Sequence, residues 1–209
     1  MFDGDSNLIW EAYNLSKHLL ESVSSHAILY HASQIKNIND IIRSNEFNLN
    51  LSKNEMAKMT KYQIYDYFMS TARTTTSNYI KELIDYTSTP AIIELDESKI
   101  KNDGYKIVPF NWNRYDTDKT RNVSSESEER ILSQSSTIPN FLKYVVAFHI
   151  YNYFNFNIRS DTTSQIYTST VNGINNLIDT GIPVYMYNNE NDLKVLNKTK
   201  RKLLQTHIF

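Results

Sequence analysis

Glu126, Glu128, Glu129 and Arg130 form the densest charge cluster in the chain, where a polar stretch gives way to Ile131 and Leu132. Period-two alternation puts Glu126, Glu128 and Arg130 on one strand face, and Glu129 with Ile131 on the other. Two carboxylates on one side of an open strand end can orient a sugar hydroxyl and stabilise a developing cation. The same pair suits a glycosidase, and a solvated loop-to-strand junction is the plain reading of such a run. Further upstream, Ser70, Thr71 and Arg73 close the aromatic segment Tyr65–Met69. An arginine there offers a planar fork to phosphate, although small polar residues also simply end strands at a surface. Earlier still, His31 follows Ile28-Leu29-Tyr30, with Ser33 beyond it. Tyr30, His31 and Ser33 together could meet a hydroxyl or a carboxamide, whereas a lone histidine at such a place more often serves the structure. His18, His26, His149 and His207 show no metal-type pairing with acidic residues, so no metal is expected.

These groups need elements to hold them. Leu8, Ile9, Ala12, Leu15, Leu19 and Val23 recur at helical spacing and predict a helix over 7–25. Ile28 to Tyr30 reads as a strand, and Ser33 as the cap of a helix whose inner face is Ile35, Ile38, Ile41 and Ile42. Residues 53–65 read as a third helix, and Tyr65–Thr71 as an aromatic strand. A helix over Asn78–Tyr86 is closed by Pro90, and Ala91–Leu95 follows as a strand. The Asp103-Gly104 turn leads into Tyr105–Phe110, which suggests that these two strands form a connected pair. Asn111–Ser125 is polar, nearly free of aliphatic residues, and reads as a mobile loop directly before the acidic cluster. Glu128–Leu132 and Lys143–Tyr151 are strands, and Thr163–Ile178 is a helix stopped by Gly181 and Pro183. Strand Val184–Tyr187 and a basic terminal helix around Lys194–Lys202 complete the chain.

The 209 residues are enough for one domain with a substantial core, and 40% of them are hydrophobic. No apolar run approaches the ~18 residues that span a bilayer. Met1-Phe2-Asp3-Gly4-Asp5 has neither a basic nor an apolar leader region, so no secretory signal is expected. Cysteine is absent, which excludes disulfides and thiolate metal sites and fits a cytoplasmic protein. A net charge of −1 argues against strong chain-wide attraction to nucleic acid or anionic membrane. The wealth of Asn, Lys, Ile and Tyr fits an AT-rich coding genome such as a phage's. The expectation is a single α+β domain, 1–209, with a mainly antiparallel sheet: an N-terminal helix at 7–25, a core at about 28–150, and C-terminal helices and a strand at 160–205.

Taken in order, Tyr30-His31-Ala32-Ser33, Ser70-Thr71-Ala72-Arg73 and Glu126-Ser127-Glu128 resemble the three motifs of the ADP-ribosyltransferase superfamily, over roughly residues 28–150. The chain combines the histidine form of the first motif with the two-glutamate form of the third. The resemblance implies a split sheet with flanking helices around a nicotinamide cleft, NAD as co-substrate, no metal, and transfer of ADP-ribose to a macromolecule. In that reading Glu128 stabilises the cationic ribose and Glu126 orients or deprotonates the acceptor. Tyr30 and His31 hold the cofactor, Ser70 and Thr71 support the pocket, and Arg73 meets the pyrophosphate. Glu129 is the rival carboxylate, because a one-residue bulge exchanges the two faces. Trp112, Arg114 and Tyr115 are types enriched at interfaces and are the expected acceptor contacts. A protein acceptor is favoured over nucleic acid, with Lys198, Lys200 and Arg201 as the competing basic patch, and a phage effector is a plausible setting. A non-catalytic interaction or inhibitor protein on the same fold and an NAD glycohydrolase are the alternatives.

Overall fold

The central strand is β5 (Pro90–Asp96), whose apolar run Ala91-Ile92-Ile93 is buried on both faces. It pairs antiparallel along its whole length with β1 (Ile28–Gln34), from Ile28↔Asp96 to Gln34↔Pro90. On its other side lies β9 (Val145–Tyr151), also antiparallel, with a register shift between Glu94 and Leu95. Beyond β9 come β10 (Val184–Tyr187), in parallel, and β11 (Arg201–Leu204), antiparallel to β10. A second block of strands is built from β4 (Tyr67–Ala72), β7 (Glu128–Ser133) and β6 (Lys106–Phe110), with β3 (Asn50–Leu51) beside β4. The two blocks join through β1 and β4, where the paired position is Tyr30↔Ala72. The nine-stranded, mainly antiparallel sheet is therefore split at a seam, and the seam lies beside His31. The computed structural model describes residues 27–51, 65–75, 77–86, 89–110, 128–151, 161–196 and 198–207. The helices expected over 7–25 and 53–65 fall essentially outside these residues, as does the loop Asn111–Ser125.

One face of the sheet, which carries His31, is covered by α1 (Ile35–Ser44), α4 (Asp161–Asp179) and a small antiparallel pair, β2 (Glu46–Asn48) with β8 (Thr137–Pro139). Leu29, Met69, Ile93, Ile131 and Phe148 meet Ile35, Ile38, Ile174 and Phe47 there. Each fully buried Ile, Leu or Phe contributes about 1.5–3 kcal/mol, so this cluster supplies most of the core. The opposite face, which carries Arg130, packs Ala32, Ala72 and Ile92 under α2 (Asn78–Tyr86) and α5 (Glu190–Lys194) through Ile80, Ile84 and Leu193. Phe68, Val108 and Leu132 form a smaller cluster farther along that face.

Helix α1 ends at Asn45, whose φ of 53° is the left-handed conformation that asparagine tolerates. Its carbonyl and side chain accept from the Phe141 and Leu142 amides, which pins the 3-10 turn Phe141–Tyr144 ahead of β9. Gly173 lets α4 approach α1: a Cβ there would stand 2.5 Å from Ile35 Cγ2 and 2.6 Å from Asn39 Nδ2. Alanine would gain up to ~1 kcal/mol in helix propensity but cost about 1–3 kcal/mol in overpacking. Gly173→Ala is therefore expected to lower the urea midpoint, and a raised midpoint would show that the helices can separate freely.

Four local expectations are corrected. Ser33 does not cap a helix; it stays in β1 opposite Ala91, and α1 begins after Gln34, which makes no side-chain cap bond. The strands around Ala91–Leu95 and Tyr105–Phe110 are not a pair. The Asp96 side chain accepts from the Lys99 amide at 3.0 Å and starts α3 (Glu97–Asn102), so the chain turns into a helix and β6 pairs with β7. Gly104, at φ 86°, makes the expected turn after that helix. Lys143 and Tyr144 belong to the 3-10 turn rather than to β9. The basic C-terminal segment is not a helix: α5 stops at Lys194, Leu196 has φ 44°, and Arg201–Leu204 forms the edge strand β11. Val195 and Leu203 are exposed, whereas Leu193 and Leu204 are buried.

Candidate active site

Strand β4 runs to Ala72, which places Ser70 and Thr71 inside it, on opposite faces. The β4–β7 register sets Ser70 beside Arg130, Thr71 beside Glu129, and Ala72 beside Glu128. On the β1 side, the Tyr30↔Ala72 bridge sets His31 across from Thr71. Two rows of side chains therefore cross the seam, one on each face. His31, Thr71 and Glu129 form the first row, and Tyr30, Ala72 and Glu128 the second. The alternation expected for β7 holds, with Glu128 and Arg130 on one face and Glu129 with Ile131 on the other.

Glu128 lies on the face away from His31. Its side chain is only 2% exposed and its Oε1 accepts from Ser70 Oγ at 2.6 Å and from Arg130 Nε at 2.9 Å. Arg130 is fully buried, with its guanidinium 3.8 Å from the centre of the Phe68 ring. Such a pair is held by geometry, because desolvating two charges costs several kcal/mol that the short contacts must offset. Tyr30 shares this face, opposite Glu94; burial, and then Glu94 and Tyr187, push its phenol up to about 12.

Across the seam, His31 Nδ1 donates to the Ser70 carbonyl at 2.8 Å, and the ring meets Phe47 edge-on at 5.1 Å. Since a carbonyl only accepts, this bond assigns the Nδ1 proton. Ser70 thus serves both faces, its hydroxyl holding Glu128 and its carbonyl orienting His31. Thr71 is buried and its hydroxyl donates to the Glu129 carbonyl at 2.9 Å. Arg73, just past β4, donates through Nε to Glu129 Oε1 at 2.6 Å and through Nη1 and Nη2 to Glu97 at 2.7 and 3.0 Å. Lys101 adds a second cation to Glu97 at 2.5 Å. Arg73 above all, and then Lys101, hold the Glu97 carboxyl down at about 2 despite burial, and Glu97 in turn raises the Arg73 guanidinium. The fork expected to meet a pyrophosphate is here closed on two carboxylates.

Burial pushes the His31 imidazole down to about 4, against the opposing effect of its bond to Ser70. The unfolded value is 6.5, so the unfolded chain binds the extra proton as pH falls below that value. The contribution of neutral His31 is complete above pH 6.5 and is lost as pH falls through about 4. The melting temperature should drop across that window, and more shallowly in His31→Gln. An unchanged slope in the variant would assign the effect to other groups, including His149, which burial also lowers.

Sequence reasoning missed a second polar chain on the Arg130 face. His149 Nε2 lies 2.7 Å from Glu94 Oε2 and its Nδ1 lies 3.1 Å from Tyr187 Oη, with Tyr185 stacked on the ring. Its signal was Glu94 inside the apolar run from Ala91 to Leu95. It also missed Glu97, which reads as one more polar residue after β5. Glu126, Trp112, Arg114 and Tyr115 lie outside the described residues. Among the described residues no cluster of His, Cys, Asp and Glu could hold a metal ion, and no helix is long and apolar enough to cross a membrane.

No protein-family model matches this sequence, and no curated protein matches it either. Among solved structures the chain is similar to DarT of Thermus sp. 2.9 in complex with NAD+, with a TM-score of 0.40 and 7% identity over 71% of this chain and 89% of that one. It is similar also to the same protein in complex with ADP-ribosylated ssDNA, with a TM-score of 0.39 and 7% identity over 70% and 88% of the two chains. At that distance, what DarT binds is a statement about DarT alone.

Proposed function

We propose that the protein is an NAD-dependent ADP-ribosyltransferase whose reacting carboxylate is Glu129. The observation that carries this reading is the row His31–Thr71–Glu129 across the seam of the split sheet. It sets a histidine, a hydroxyl and a carboxylate on three adjacent strands in the order of the three motifs. Glu128, the carboxylate favoured by sequence alone, is instead tied to Arg130 on the opposite face.

In the proposed reaction the bond between nicotinamide and ribose C1′ breaks and its electron pair leaves with nicotinamide. The ribose becomes an oxocarbenium-like cation, and the fixed charge of Glu129 stabilises it. A nucleophile on the acceptor attacks C1′ and its proton passes to a base, for which Glu126 remains the proposed residue. His31 orients a ribose hydroxyl or the carboxamide. Trp112, Arg114 and Tyr115 remain the proposed acceptor contacts. Near-neutral charge gives no broad footprint for a polyanion, which favours a protein acceptor. The AT-rich character of the composition agrees with a phage effector acting on host protein.

Incubation with NAD radiolabelled in its adenylate phosphate, alongside bacterial lysate or ssDNA, tests this. Label on protein is the expected result. Label on ssDNA alone would keep the transferase and replace the acceptor, and free nicotinamide without transfer would make the protein a glycohydrolase. No nicotinamide release under any condition would sink the enzymatic reading in favour of a binding protein.

A further inference from the structure

We infer that Glu97 is a positioning residue that aims Glu129 through Arg73; this rests on the transferase reading above. Glu97 opens α3, and its backbone amide is tied to the Ala27 carbonyl at 3.0 Å, at the start of β1. Its carboxylate is 2% exposed, yet it grips the half-exposed Arg73 with both oxygens. A guanidinium is rigid and planar, so fixing Nη1 and Nη2 also fixes the direction of the Nε–H. That third donor lands on Glu129 Oε1 at 2.6 Å. The other oxygen, Glu129 Oε2, is buried and has no hydrogen-bond partner among the described residues. One oxygen of the carboxylate is therefore held by Arg73, and the other makes no bond among the described residues.

An ion pair serving stability alone would not need this arrangement. Arg73 is 43% exposed but Glu97 only 2%, and burying a carboxylate costs several kcal/mol that its partners must first offset. The arrangement also balances charge. Glu97, shared with Lys101, offsets part of the Arg73 cation, so Arg73 can orient Glu129 without fully cancelling the negative field that Glu129 presents to a cationic ribose. Without Glu97, the guanidinium would turn its full charge on Glu129 and swing off its axis.

The test is Glu97→Gln in the full chain, read by nicotinamide release from NAD and by calorimetric NAD binding. The expected result is a kcat lower by roughly 10- to 100-fold with NAD affinity within about twofold, the range that small misplacements of a reacting group produce. Arg73→Lys guards against a folding failure: it keeps the charge on a half-exposed side chain but loses the fork, and should reproduce the loss in kcat. Both variants turning over like the wild type, or a folded Glu97→Gln that loses only melting temperature with kcat unmoved, would overturn the assignment. A wild type that releases no nicotinamide would instead sink the transferase reading, and this assignment with it.

Discussion

Glu129→Gln should reduce nicotinamide release by ~10²-fold or more while the chain stays folded and still binds NAD. The substitution keeps the size of the side chain and an oxygen able to accept from Arg73 Nε, so the local geometry survives. What disappears is the negative charge facing the seam. A ground-state NAD molecule gains little from that charge, because its ribose carries none of the positive charge that builds as the nicotinamide bond lengthens. The loss should therefore appear in kcat rather than in affinity. Stability should change little even though Glu129 is only 12% exposed, because its cation, Arg73, is half-exposed and still held by Glu97. Single-turnover nicotinamide release and calorimetry on the same variant measure both quantities. Turnover near that of the wild type would remove Glu129 from the chemistry.

Why Glu129 rather than Glu128 could not be read from the sequence is a matter of register. Alternation within β7 is local, and it correctly separates Glu128 and Arg130 from Glu129 and Ile131. Which of those faces is shared with His31 depends on pairings between residues about 40 and 60 positions apart, Tyr30↔Ala72 and Thr71↔Glu129. No local pattern encodes these. Helix α2 was legible to the residue, and α4 to within two residues, because their apolar spacing and the glycine and proline that follow α4 are local signals. The C-terminal segment misled for the converse reason. Leu193, Val195, Leu196, Leu203 and Leu204 satisfy a helical spacing by type alone, but pairing with Val184–Tyr187 satisfies the backbone of Arg201–Leu204 and breaks the helix. Split-sheet architecture was legible through the resemblance of its motifs, whereas Glu97 acquires meaning only when β4 brings Arg73 against α3.

The second large effect falls on stability. Glu128→Gln should cost about 3–5 kcal/mol, because it takes the carboxylate away from a fully buried arginine 2.9 Å distant. Glutamine can still bond to Ser70, so the expected loss comes from charge and not from shape. Arg130 lies against Phe68, with Val108 and Leu132 in the same apolar cluster, so this pocket would accept an apolar side chain in place of the ion pair. The double variant Glu128→Gln with Arg130→Met should accordingly recover most of the loss, as buried pairs replaced by packed apolar groups often do. Urea denaturation of the two singles and the double closes the cycle and yields the coupling energy. The same proteins, assayed for nicotinamide release below their unfolding transitions, separate structure from chemistry. If Glu128→Gln keeps its urea midpoint but loses turnover by ~10²-fold, the reacting carboxylate is on the Arg130 face, and the row built on His31 is structural instead.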